Sequence, residues 1–129
     1  MCIRDRCKIV RELRKYEKQE TVDWKIRLNV IAATIATEVL INGYLRPISR
    51  SKQIQEFNRY VTNMHLIDEA AHGSVFRIIA HKLLTSLEGE QYCFFVERLR
   101  LSIGYFSDID IDIWLFIISH VGILSLIHI

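Results

Sequence analysis

One proline, five glycines and three cysteines are few for 129 residues. The shortage of turn formers argues against a β-rich fold and for long helices. No Cys-x-x-Cys pair occurs, so a zinc ribbon or dithiol redox site has no sequence support. With Cys2 and Cys7 both near the start and only Cys93 elsewhere, no disulfide framework remains; a reducing, cytoplasmic setting is expected. Charge of one sign is also missing. The formal net charge is +2, too small to imply nucleic acid, and Arg11, Arg14, Lys15 and Lys18 are balanced by Glu12, Glu17 and Glu20. Half the residues are hydrophobic and a quarter charged, the ordinary balance of a soluble globular domain.

The two ends need separate treatment. Leu124-Ser125-Leu126-Ile127-His128-Ile129 is the translation of CTG TCT CTT ATA CAC ATC, and the reverse complement of the same DNA encodes Met1-Cys2-Ile3-Arg4-Asp5, with Arg6 fitting next. One transposase-type sequencing adapter explains both ends. Residues 1–6 and 124–129 are therefore excluded from fold reasoning, and the natural chain is expected to extend in both directions. Without the last six residues, the apolar tail Ile113–Ile123 is about half of the roughly 20 residues that a membrane helix needs. It reads as a buried helix, and no membrane partner is expected.

Residues 7–23 read as a polar connector, with Lys8–Gln19 as a charged helix or linker. Trp24 to about Leu45 is apolar nearly all round, as in the middle helix of a bundle, with Thr21 or Asp23 as a candidate cap and Arg46-Pro47 as its end. A second long helix is expected from near Ser51 to Leu87, with Phe57, Tyr60, Val61, Met64, Leu66, Ile67, Val75, Phe76, Ile78, Ile79, Leu83 and Leu84 in an apolar stripe. Glu88-Gly89-Glu90 breaks it. Helices over Tyr92–Tyr105 and Ile111–Ile123 follow, with Phe94, Phe95, Tyr105, Phe106 and Trp114 as core aromatics. The expected class is all-α, part of a helical bundle spanning residues 24–123.

The chemistry concentrates in Met64-His65-Leu66-Ile67-Asp68-Glu69-Ala70-Ala71-His72. His65, Glu69 and His72 recur at i, i+4, i+7, on one stripe of a helix. Two imidazoles and a carboxylate suit iron, manganese or zinc, and Glu69-x-x-His72 is the half-motif of carboxylate-bridged bundles. Glu38 is an isolated carboxylate in the apolar run Ala32–Ile41, where an unpaired charge is costly. It completes a metal site, or it pairs with an arginine such as Arg59 or Arg77. Asn42, four residues on, faces the same way and could meet substrate or make a structural hydrogen bond. Asp68 reads as an outer partner or a solvated residue, His81 and His120 as ordinary histidines, and Glu97 as neutralised by Arg98 or Arg100.

Thr37-Glu38, Leu40-Ile41-Asn42 and His65-Leu66-x-Asp68-Glu69-x-Ala71-His72-Gly73-Ser74 together resemble the second half of the p-aminobenzoate N-oxygenase (AurF-like) family, from about Trp24 to Leu87 and more loosely to Ile123. The resemblance implies a ferritin-like bundle holding a pair of iron ions (manganese being the lesser choice), with Glu38, His65, Glu69 and His72 as ligands. His65 is the ligand that sets this family apart from ferritins. Dioxygen would be co-substrate, an arylamine the substrate, oxidised through the hydroxylamine toward nitro, with electrons from an external donor. The family's other lone glutamate and Glu-x-x-His helix have no counterpart between Cys7 and Trp24, so this piece is expected to be inactive without the rest of the protein. Rival readings are another ferritin-like oxidase or desaturase and a non-enzymatic helical interaction domain. A homodimer is compatible with each.

Overall fold

A computed structural model describes residues 7–108; the expected helix Ile111–Ile123, Trp114 and His120 lie outside the described residues. Among these residues there are four helices and no strand: α1 (Lys8–Gln19), α2 (Asp23–Arg50), α3 (Glu56–Ser86) and α4 (Gly89–Ser107). The all-α class is the one the sequence predicts. α2 is the central element and packs against each of the other three.

The boundaries follow from local chemistry, and several differ from the sequence reading. Lys8–Gln19 is a helix, with Ile9 buried. Neither Thr21 nor Asp23 caps α2: the cap residue is Val22, and the Glu20 carboxylate accepts the Thr21 and Val22 N–H groups, each at 2.9 Å. α2 also runs through Pro47 to Arg50. A proline there forfeits the bond to the Gly43 carbonyl, but Arg46, Pro47 and Ile48 are exposed, so little packing resists the adjustment. α3 starts at Glu56, with Ser51–Gln55 forming the connection. Gly89 opens α4 with φ +53°, a left-handed conformation that favours glycine.

The core is Leu28, Ala32 and Ile35 of α2 against Phe95 of α4, bordered by Phe76, Ile79, Ala80 and Leu83 of α3. Ala32 and Phe95 have no exposed surface; the small residue lets the large ring of the neighbouring helix fill the space beside it. α2 has the length and composition to cross a membrane, but here its apolar side packs against protein. The expected single stripe on α3 is in fact divided. Phe57, Tyr60, Val61, Met64, Ile67, Val75, Ile78 and Leu84 are exposed, because among α3 residues the core takes only Phe76, Ile79, Ala80 and Leu83.

α1 and α4 are joined through α2 by a polar cluster. Arg98 Nε donates to Asn29 Oδ1 at 2.6 Å, and Asn29 is buried. The guanidinium carbon of Arg98 lies 4.2 Å from the Tyr16 ring centroid, and the Tyr16 hydroxyl donates to Glu20 at 2.8 Å. Glu97 is held by Arg100 in two hydrogen bonds. Phe94 lies edge-on to Trp24, and Phe106 edge-on to Tyr44.

Candidate metal centre

α2 and α3 are adjacent because the turn at Ser51–Gln55 sends the chain back along itself. Glu38 on α2 thereby reaches Glu69 and His72 on α3. His72 Nδ1 is 3.5 Å from Glu38 Oε2 and 3.5 Å from Glu69 Oε2. One donor atom from each of the three residues lies within 4.8 Å of the other two. His65 is one turn farther along the same stripe, its Nδ1 3.9 Å from Glu69 Oε1, and it stands outside that cluster.

Exposure increases toward His65. The side chain of Glu69 is 17% exposed and that of Glu38 29%, against 50% for His72 and 63% for His65. The two carboxylates are thus more covered than the two imidazoles.

The electrostatics match a cation site. Glu38 Oε2 is a buried atom without a hydrogen-bond partner. Burial pushes the Glu38 carboxyl above the usual carboxylate range, and the nearby Glu69 carboxylate pushes the same way, while His72 opposes both. Two carboxylates this close repel unless a proton or a cation stands between them. A metal ion would remove the repulsion and satisfy the orphaned oxygen, and a set of two carboxylates with one or two imidazoles is the donor chemistry of iron or manganese. The residues present fit such an ion.

The other expectations resolve as follows. The arginine alternative for Glu38 is not realised; Arg77 lies along a groove with His81 and Leu84 instead. Asn42 makes the structural contact: its Nδ2 donates to the backbone carbonyl of Glu69 at 3.0 Å. Asp68 and His81 are exposed. Reading by residue type missed Asn29 and named Arg98 only as a partner for Glu97; the pairing of Arg98 with Asn29 stands out only once the fold brings them together. It also passed over Gly73, although that residue sits inside the motif.

The family model described as "P-aminobenzoate N-oxygenase AurF" matches residues 4–123. The chain belongs to this family. It is also 26% identical over 113 residues to the 4-aminobenzoate N-oxygenase of Streptomyces thioluteus, an alignment covering 88% of this chain and 34% of that protein. The chain thus spans about a third of the length of the curated relative it matches. No solved structure matches it. Within the AurF family, then, the cluster of Glu38, Glu69 and His72 lies in a chain related to oxygenases.

Proposed function

We propose that this chain is part of a non-haem diiron N-oxygenase that oxidises an arylamine with dioxygen. In this reading Glu38, His65, Glu69 and His72 are its share of the iron ligands. The convergence of Glu38 with Glu69 and His72 carries the proposal, because a charged residue in an apolar helix has brought its carboxylate to the ExxH pair of a neighbouring helix. Bound iron would supply the redox chemistry that reduces dioxygen, with electrons from an external donor.

The chain's own residues have definable tasks. Glu38 and Glu69 would balance the charge of the cations. His72 would bind through a neutral imidazole nitrogen, the form in which histidine ligates metals. His65, the most exposed of the four, would join the donor set with the rest of the protein in place. The exposed Val61, Met64 and Ile67 around His65 form an apolar surface on which that remainder would seat. Free Cys7 and Cys93 accord with a cytoplasmic location.

The test uses the full-length protein, purified after growth with iron. Bound iron and reductant-dependent conversion of an arylamine such as 4-aminobenzoate to its hydroxylamine or nitro product are expected. Iron-free protein after careful purification, with no oxygen uptake in the presence of arylamine, would rule the proposal out.

A further inference from the structure

Two residues of the α2–α3 interface have no place in the ligand set, yet both touch it. Gly73, next to His72, is the buried residue of α3. A methyl group built on it would stand 3.1 Å from the Glu38 carbonyl oxygen, 3.3 Å from Asn42 Nδ2 and 3.9 Å from Val39 Cα. Two of those three atoms are backbone and cannot rotate aside. The helices therefore come close at the peptide of Glu38 itself, an approach that favours a residue with no side chain, since a methyl group there would be tighter than ordinary packing.

Asn42 joins the helices at the same point. Its Nδ2 donates to the carbonyl of Glu69, the carbonyl that in an α-helix also accepts the Gly73 N–H, four residues on. The amide thus lies across Gly73 and is bonded to the peptide of a proposed ligand. Its other atom, Oδ1, is buried and unpartnered. Burying a bare carbonyl oxygen is costly, so the amide stands there at a local penalty in this chain.

We propose that Asn42 and Gly73 form a latch that sets the spacing and rotation of α2 against α3 and so positions Glu38 against Glu69 and His72. They are positioning residues rather than ligands, and the inference rests on the metal-centre reading. Its logic is geometric. Glu69 and His72 share one helix and keep their relation whatever α2 does. Glu38 comes from the other helix, so its distance to the pair depends on the gap between axes. A methyl group at Gly73 would push the helices apart by about a few tenths of an ångström, moving Glu38 relative to the other donors while Glu69 and His72 keep their own relation.

The test is a Co(II) titration of the full-length protein, read by the visible absorption of the bound ion, with helical content and thermal unfolding followed alongside. Gly73→Ala and Asn42→Leu are each expected to weaken Co(II) binding roughly 10- to 100-fold, the range for outer partners of metal ligands, and to alter the absorption band while helical content stays unchanged. The double variant should bind no worse than the weaker single variant, because both changes act on one contact. Asn42→Leu keeps the side-chain bulk and carries the test if Gly73→Ala does not fold. Glu38→Gln is the control. If it weakens binding while Gly73→Ala and Asn42→Leu bind like the wild type with the same band, the latch is overturned and the metal centre stands. If the wild type binds no Co(II), or Glu38→Gln binds as tightly, the metal-centre reading fails and takes the latch with it.

Discussion

Glu38 Oε2 and His72 Nδ1 lie 3.5 Å apart although they belong to different helices and are separated by the whole α2–α3 turn. The proposed centre is therefore an interface property. Whatever loosens α2 from α3 should loosen metal, and bound metal should in turn hold the helices together.

The ligands should not contribute equally. His65 stands outside the cluster and is more exposed than His72. In the full-length protein, His72→Ala is expected to lower iron content more than His65→Ala. Metal analysis of the two purified variants checks this; equal losses would show that His65 is drawn fully into the site.

Phe95 fills the space between α2 and α4 with no exposed surface. Phe95→Ala should destabilise the fold by about 3–5 kcal/mol, the cost of deleting a buried ring and leaving a cavity. Urea unfolding followed by helix signal would measure it. Removing an exposed ring, as in Phe57→Ala, should cost much less in this chain.

Arg98 answers Asn29 with one nitrogen and sets its guanidinium carbon 4.2 Å from the Tyr16 ring centroid. Arg98→Met keeps the stem but leaves buried Asn29 without a partner for Oδ1, at a cost of about 1–3 kcal/mol. Arg98→Lys should not restore the loss, because an ammonium offers neither the planar face nor the Nε geometry. Thermal unfolding of the pair decides this, and full recovery by lysine would show that charge alone matters.

Tyr16 and Glu20 give the α1–α2 junction a pH dependence at both extremes. Burial, then the hydrogen bond to Glu20, pushes the Tyr16 phenol up to about 12. Its contribution is therefore complete below the ordinary tyrosine value near 10 and is lost as pH rises through about 12. Glu20 is held below the usual carboxylate range, first by the Val22 N–H and then by Tyr16. Its contribution is present above that range and fades as pH falls through the lowered value. In an ultraviolet titration of phenolate, Tyr16 should ionise above the ordinary tyrosine value, and Tyr16→Phe should remove that late step.

Much of this was legible in the linear chain, for reasons that are local. Scarcity of proline and glycine forces long helices, and the i, i+4, i+7 spacing of His65, Glu69 and His72 places them on one stripe wherever the helix packs. Glu38 was conspicuous because its neighbours are apolar. Helix ends were less legible. Pro47 did not stop α2, since an exposed last turn can adjust to a lost hydrogen bond, and α2 begins after Val22, which offers no side-chain cap and whose own N–H donates to the Glu20 carboxylate.

Periodicity was thus enough to specify an all-helical chain and to align three candidate ligands, because both depend on residues within a few turns of one another. Which apolar residues of α3 are buried, where Arg98 finds Asn29, and how close α2 comes at Gly73 were settled by packing. Those contacts join residues distant in sequence, and their energies depend on separations of a few tenths of an ångström that no spacing pattern encodes.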